Sequence, residues 1–391
     1  MAGRHDDWLK PDLKSPIALV LSGGGARGAF QVGVWKTLLR DARGLCAPPD
    51  VISGTSAGAL NGALIAAGLS PDDMMEFWLE MADSPPVVAN EKFFRSLSDV
   101  LAKILLREPV RGVGRRLREA RILASVVKKH KWYTQSGLAA LLLEFLMTAR
   151  FDTLSTVLDG IRTPYLFDTS PVRDRLRRYI GADTVRTTRV RLAINTVDVR
   201  TGSVVRIVNF RPEKSPRASS KHYRYEPAIS LDMLLASSAI PLLFNPVEVD
   251  SDPLWDGGLL VNSPMAPAVA LGATRIVPVL ATTKGSSSRH VLQTFGHAVE
   301  RLVDTILENA YNIDRKLLLD RNELARKTAD PDLKQVELFR AIRPQSGELF
   351  NAGSYLYFER RALLAMYEAG QHAARDWIAR GPEVDRRDLD D

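Results

Sequence analysis

Two short apolar runs near the start of the chain each end in a glycine-rich turn and then pass into a helical pattern. Ile17-Ala18-Leu19-Val20-Leu21 reads as a fully buried strand and runs into Ser22-Gly23-Gly24-Gly25-Ala26-Arg27-Gly28-Ala29-Phe30, with a helical pattern from Gln31 to Arg40. Asp50-Val51-Ile52 is followed by Gly54-Thr55-Ser56-Ala57-Gly58 and the helix-forming stretch Ala59 to Ala67. Alternation of buried strands with helices argues an α/β fold with a parallel or mixed sheet. The second junction has the grammar of a nucleophile elbow. A serine on a sharp strand-to-helix turn has its hydroxyl pushed out of the sheet, and flanking glycines keep side chains away from the strained backbone. The helix N-terminus then offers free amides, here beginning at Ala57, to a developing oxyanion.

The first junction fits G-x-G-x-x-G through Gly23, Gly25 and Gly28, which by itself suggests pyrophosphate held on a helix N-terminus. A dinucleotide site also wants an acidic residue about 20 positions on, at the end of the next strand. That strand ends in the serine elbow instead, and Asp41 falls at a helix end. The preferred reading makes the amides around Gly24, Gly25 and Ala26 an oxyanion hole facing Ser56, each such donor being worth about 3 kcal/mol in a transition state. Arg27 either anchors this loop or binds a lipid phosphate, with a solvated surface arginine as the plain alternative.

A third block is Trp255-Asp256-Gly257-Gly258-Leu259-Leu260-Val261-Asn262-Ser263-Pro264, preceded by Ala236-Ser237-Ser238-Ala239-Ile240-Pro241-Leu242-Leu243-Phe244-Asn245-Pro246. An S-G-G-G-x-R-G turn, a G-T-S-A-G elbow, an A-S-S-A-I-P-x-x-F block and a D-G-G-x-x-x-N-x-P segment, in this order, resemble the patatin-like phospholipases. The resemblance runs from about Ile17 to Ala374, including Leu166-Phe167-Asp168-Thr169-Ser170-Pro171 and a terminal helix from Glu359. It implies a three-layer α/β/α hydrolase with a mostly parallel central sheet and an inserted helical cap. It also implies a Ser-Asp dyad, with Ser56 as nucleophile and Asp256 as base, that cleaves fatty-acyl esters of lipids through an acyl-enzyme and needs no cofactor. Acyl transfer to another alcohol, and a non-enzymatic membrane-associated scaffold, are the alternative readings.

A serine hydroxyl needs a base within hydrogen-bond reach, usually histidine. The chain has six, His5, His130, His222, His290, His297 and His372, and none sits in a strand-end or glycine-rich context. A histidine brought in by folding stays open, since triad members are neighbours in space rather than in sequence. An ordinary aspartate is a poor base, so Asp256 requires an apolar surround, which Leu254, Trp255, Leu259 and Leu260 are expected to supply. Asp-Gly is also a hairpin-turn signal, and that is the competing structural reading of Asp256-Gly257.

The 391 residues, 45% of them hydrophobic, suffice for one catalytic domain, expected over 15–375 between a flexible 1–14 and a charged tail 376–391. A basic helical insertion or cap is expected at about 91–151. Phe93, Leu97, Val100, Leu101 and Ile104 fall at helical spacing, as do Leu117, Ile122, Leu123, Val126 and Val127. Arg111, Arg115, Arg116, Arg118, Arg121, Lys128, Lys129 and Lys131, with Trp132 and Tyr133, suit either contact with an anionic membrane or a packed cap with a solvated cationic face. Arg211 to Tyr225 reads as a basic surface loop.

A net charge of +7 calls for an anionic partner, and no zinc-finger or RNP-like motif points to nucleic acid. No Cys/His spacing implies a metal. Met1 to Lys14 lacks a charged-then-apolar leader pattern, no apolar run is long enough to span a bilayer, and the single Cys46 fits a reducing interior. The expected setting is cytoplasmic, with peripheral membrane contact as an option.

Overall fold

Strand β1 (Ile17–Leu21) decides the layering. Ile17, Leu19 and Leu21 join one hydrophobic cluster while Ala18 and Val20 join another, because successive side chains of a strand point to opposite faces. Val51 and Ile52 of β2 (Val51–Thr55) divide in the same way. The computed structural model describes Leu9 and residues 15–107, 159–161, 163–187, 189–212, 222–283, 295–328, 333–345, 348–350, 352–381 and 383–385.

The remaining strands of the main sheet are β3 (Arg191–Asp198), β4 (Val204–Val208), β5 (Tyr223–Tyr225), β6 (Val247–Val249), β7 (Asp252–Asp256), β8 (Arg275–Val279) and β9 (Glu337–Leu338). Nine strands pair in the order β6-β7-β3-β2-β1-β8-β9, with β4 on β3 and β5 on β4. The central run β3-β2-β1-β8-β9 is parallel, and β3-β7, β7-β6 and β3-β4 are antiparallel.

The helices are α1 (Gly28–Arg40), α2 (Ala57–Ala66), α3 (Pro71–Asp83), α4 (Glu91–Arg107), α5 (Ser170–Ile180), α6 (Leu231–Ser237), α7 (Met265–Ala270), α8 (Phe295–Thr328) and α9 (Arg360–Arg380). Side chains from α1, α2, α3, α5, α6 and α9 build the cluster on one face of the sheet. Those of α7 and α8 build the other, which gives three layers, α/β/α.

The chain divides into two units, and the whole main sheet belongs to the first, made of 1–88, 169–241 and 246–391. The second, Ala89–Asp168 with Leu242–Asn245, holds α4 and a parallel pair between Leu242–Phe244 and Tyr165–Asp168. Within it Phe93 and Val100 are buried, in keeping with the helical spacing of that stretch. The basic segment Arg111 to Lys131, with Trp132 and Tyr133, lies outside the described residues, as does most of the Arg211 to Tyr225 loop.

The terminal helix is longer than its pattern indicates. It continues to Arg380 because Trp377 and Ile378 are buried, the Trp377 indole donating to the Arg340 carbonyl at 2.8 Å. Beyond it Val384 bridges to Phe339, and buried Asp385 accepts two bonds of 2.6 Å from Arg315. The expected tail boundary at 376 therefore falls inside a packed helix. Among the described residues no helix is long and apolar enough to cross a membrane.

Candidate active site

The sheet register explains why Ser56 and Asp256 meet. A strand has two edges, and β4 holds one edge of β3 from Ala193 to Val197. The other edge is shared. β2 pairs along it from Arg191 to Asn195, and β7, running the opposite way, pairs from Asp198 back to Thr196. The two strands thus arrive end to end, Thr55 opposite Asn195 and Asp256 opposite Thr196. Ser56 is the next residue after Thr55.

At the elbow Ser56 has φ 55° and ψ −124°, positive φ in a residue that carries a Cβ. Such a conformation costs on the order of 1–3 kcal/mol and persists only where the surroundings enforce it. They do so here through two glycines and a clamp. A Cβ on Gly54 would fall 2.4 Å from the Gly58 carbonyl oxygen, and one on Gly58 would fall 2.2 Å from that of Leu21. The clamp is Ser237, at the end of α6. Its hydroxyl accepts from the Ser56 amide at 3.1 Å and donates to the Asn195 carbonyl at 2.7 Å, tying the elbow to β3.

Asp256 is held from both sides. Its amide donates to the Ala239 carbonyl at 2.9 Å, and its Oδ1 accepts from the Gly258 amide at 2.7 Å. Gly257 packs against the Asn195 backbone, where a Cβ would lie 2.4 Å from the carbonyl oxygen. The Ser56 hydroxyl is a hydrogen-bond partner of the Asp256 carboxylate. Burial pushes this carboxyl up to about 6, and the Gly258 and Ser56 hydrogen bonds hold it from going higher. Ser56 and Asp256 are only 6% and 5% exposed.

The apolar surround differs from the sequence expectation. Leu254 is buried, but Leu259 and Leu260 are each 49% exposed, so the tight turn Gly257–Leu259 sends them outward. Enclosure comes from backbone and polar neighbours instead. A Cβ on Gly258 would meet Asn262 Oδ1 at 3.4 Å and Thr55 Cγ2 at 3.8 Å. The Thr55 hydroxyl donates to the Val261 carbonyl at 3.0 Å and the Gly23 amide to that of Asn262 at 3.1 Å, so the segment after Asp256 straps the elbow and the first glycine turn together.

The Gly23–Ala26 turn borders the serine, a Cβ on Gly23 lying 3.3 Å from Ser56 Cβ. With the Gly23 amide spent on Asn262, the amides of Gly24, Gly25, Ala26 and Ala57 have no hydrogen-bond acceptor among the described residues. A buried polar chain supports this turn from behind. Trp78 Nε1 donates to Asn61 Oδ1 at 2.9 Å, Asn61 Nδ2 to Gln31 Oε1 and the Gly28 carbonyl at 2.9 Å each, and Gln31 Nε2 to the Ser22 carbonyl at 2.7 Å. Gly28 has no room for a side chain, since a Cβ would meet the Trp78 ring at 2.2 Å.

Arg27 is an anchor and not a surface cation. It is wholly buried, donating to Ser354 Oγ at 2.8 Å and to the Ala281 and Phe350 carbonyls at 2.9 Å each. Its guanidinium lies 3.7 Å from the centre of the Tyr355 ring and 3.5 Å from Asp304. Buried in this way, it has no face left for a lipid phosphate.

Of the histidines, His222 and His372 are exposed on the surface. His5, His130 and His290 lie outside the described residues, as does the side chain of His297. Ser237, Gln31 and Asn61 have supporting roles that sequence reasoning missed. Gln31 and Asn61 did leave a signal, being uncharged polar residues inside otherwise apolar helical stretches.

The model of the family described as "Patatin-like phospholipase" matches residues 19–269. Among curated proteins, the chain is 58% identical over 50 residues to Lysophospholipase nte1 of Aspergillus terreus, covering 13% of this chain and 3% of that protein. It is 55% identical over 67 residues to Patatin-like phospholipase domain-containing protein 7 of Rattus norvegicus (16% and 5%), and 44% identical over 68 residues to the corresponding protein 6 of Homo sapiens (17% and 5%). The chain therefore spans only 3–5% of the length of these relatives. VipD from Legionella pneumophila, a solved structure, overlays on 95% of this chain and 68% of its own at 15% identity and a TM-score of 0.39, a loose likeness. The family model covers well over half of the 391 residues, and the chain belongs to the patatin-like phospholipase family.

Proposed function

We propose that this protein is a serine-dependent lipid acyl hydrolase working through a Ser-Asp dyad. One observation carries the reading: a serine on a strained elbow has its hydroxyl hydrogen-bonded to a buried carboxylate whose proton affinity is raised into the working range. Asp256 takes the proton as Ser56 attacks the ester carbonyl, and returns it to the departing alcohol. The tetrahedral oxyanion is held by amides of the Gly24–Ala26 turn and Ala57, while the Gly258 amide fixes the Asp256 carboxylate through Oδ1. The acyl-enzyme is then cleaved by water that Asp256 activates in the same way. Peripheral contact with an anionic membrane, through the basic Arg111 to Lys131 segment, belongs to the proposal because the substrate is carried in a lipid surface.

The test of function is product analysis. Purified protein incubated with phospholipid and lysophospholipid should release free fatty acid, and the Ser56→Ala protein should not. Transfer of the acyl group to an added alcohol in place of water would reassign the protein as a transacylase, and release of neither product would reject both readings.

The raised carboxyl also sets a pH dependence. Asp256 must be ionised to act, so kcat/KM for a soluble ester should fall as pH drops through about 6. A solvated aspartate would place that limb near 4. A profile flat down to pH ~4.5 would therefore remove Asp256 from the role of base.

A further inference from the structure

The long helix α8 (Phe295–Thr328) presents two different faces. Its inner side is packed and engaged, with Tyr311 and Leu318 buried in the second core cluster and Asp304 accepting from the Tyr355 hydroxyl at 2.8 Å. Its outer side carries Leu302, Ile306, Ile313, Leu317 and Leu324, exposed by 60%, 51%, 51%, 61% and 43%. Their spacing alternates between four and seven residues, a repeat of eleven. On a helix of 3.6 residues per turn, these positions fall within about 60° of arc and form a straight stripe about 33 Å long. Scattered exposed aliphatics are ordinary, but five in line on one helix face mark an interaction surface.

We infer that this stripe docks the protein on an anionic lipid surface, an inference that rests on the lipid acyl hydrolase reading above. Three observations favour lipid over a second copy of the chain. Five half-exposed aliphatic side chains, at about 100 Å² or less apiece, offer roughly 500 Å², short of the ~800 Å² per partner of a standard protein interface. Lys316 and Lys327 border the stripe, Lys327 in an ion pair with Glu323 at 2.6 Å, the chain carries +7 overall, and an amphipathic helix lying in a lipid interface takes this form. Asp320, on the same line, is partly buried and engaged by its surroundings.

The third observation is continuity with the catalytic centre. Asp304, on the inner side between Leu302 and Ile306, holds Tyr355 and lies beside Arg27. The Tyr355 carbonyl abuts Gly25 of the oxyanion turn, and the next two residues, Leu356 and Tyr357, are exposed. One helix therefore braces the catalytic turn from its inner side and offers an apolar surface on its outer side. Docking brings lipid substrate to the elements that act on it.

The test uses the full chain with Ser56→Ala, so that lipid is not consumed, and vesicles of phosphatidylcholine and phosphatidylglycerol. Replacing Leu302, Ile306, Ile313 and Leu317 together by Ser should weaken cosedimentation at least ~10-fold, since binding scales with buried apolar area. Leu317→Asp alone, at the most exposed position, should act in the same direction. With Ser56 restored, the fourfold variant should hydrolyse a short soluble ester like the parent, which shows the fold and dyad intact. Vesicle binding unchanged in both variants overturns the inference. A parent chain that sediments as a dimer, binds no vesicles and becomes monomeric in the fourfold variant overturns it in favour of self-association. Vesicle binding lost on substitution, in a protein that hydrolyses no ester at all, supports docking while rejecting the hydrolase reading.

Discussion

Asp256→Asn is expected to lower ester turnover at least ~100-fold and, in the same protein, to raise stability at pH 7. The first effect follows from removing the proposed base. Asparagine keeps the shape of the side chain, can still accept from the Gly258 amide, and cannot take the Ser56 proton. The second follows from the direction of the shift. A carboxyl at about 6 in the folded state and 3.8 as its ordinary value binds more protons folded than unfolded between those two pH values. Stability therefore declines as pH rises through that window, and above about pH 6 the buried charge costs on the order of 3 kcal/mol at 1.36 kcal/mol per unit. Asparagine carries no charge and removes that cost, so a melting curve at pH 7 should move up by a few degrees and the difference should vanish near pH 4. Ser56→Ala should match the loss of turnover without the gain attributable to a removed charge. Near-normal turnover in folded Asp256→Asn would sink the dyad. A lower melting temperature at pH 7 would mean that the native contacts of the carboxylate outweigh its burial.

The proposed oxyanion turn should be equally intolerant. Gly25 has φ +54°, and a Cβ there would lie 2.1 Å from the Tyr355 carbonyl oxygen. At Gly24 the backbone is extended, but a Cβ would fall 2.5 Å from that of Ala281. Valine at either position forces the turn away from Ser56 and misplaces its amides. Loss of one such donor costs about 10²–10³ in kcat, so Gly24→Val and Gly25→Val should each lose at least ~100-fold in kcat. Melting curves on the same samples distinguish a displaced turn from an unfolded one. Normal turnover would make the turn a packing feature and would call for a direct test of dinucleotide binding.

The local parts of this site were legible in the sequence, and the long-range parts were not. Ile17–Leu21 and the elbow could be read because a buried strand, a glycine turn and a helix are consecutive in the chain. The meeting of Ser56 and Asp256 had to be taken from a family resemblance, because it depends on β2 and β7 sharing one edge of β3, which no spacing reveals. Arg27 was ambiguous for the same reason, since its partners Ala281, Phe350 and Ser354 are distant in sequence. Leu259 and Leu260 misled because a run of apolar residues after Asp-Gly-Gly looks like enclosure, whereas the turn exposes both. The outward stripe on α8 was invisible without knowing which face of that helix is buried.

Covalent labelling with a fluorophosphonate, located by peptide mass spectrometry, tests most directly whether Ser56 is a nucleophile activated by Asp256. The account predicts a single adduct on Ser56, absent in Ser56→Ala, greatly slowed in Asp256→Asn, and declining in wild type as pH falls through about 6. An unlabelled native protein, an adduct on another residue, or labelling of Asp256→Asn at the wild-type rate would contradict it.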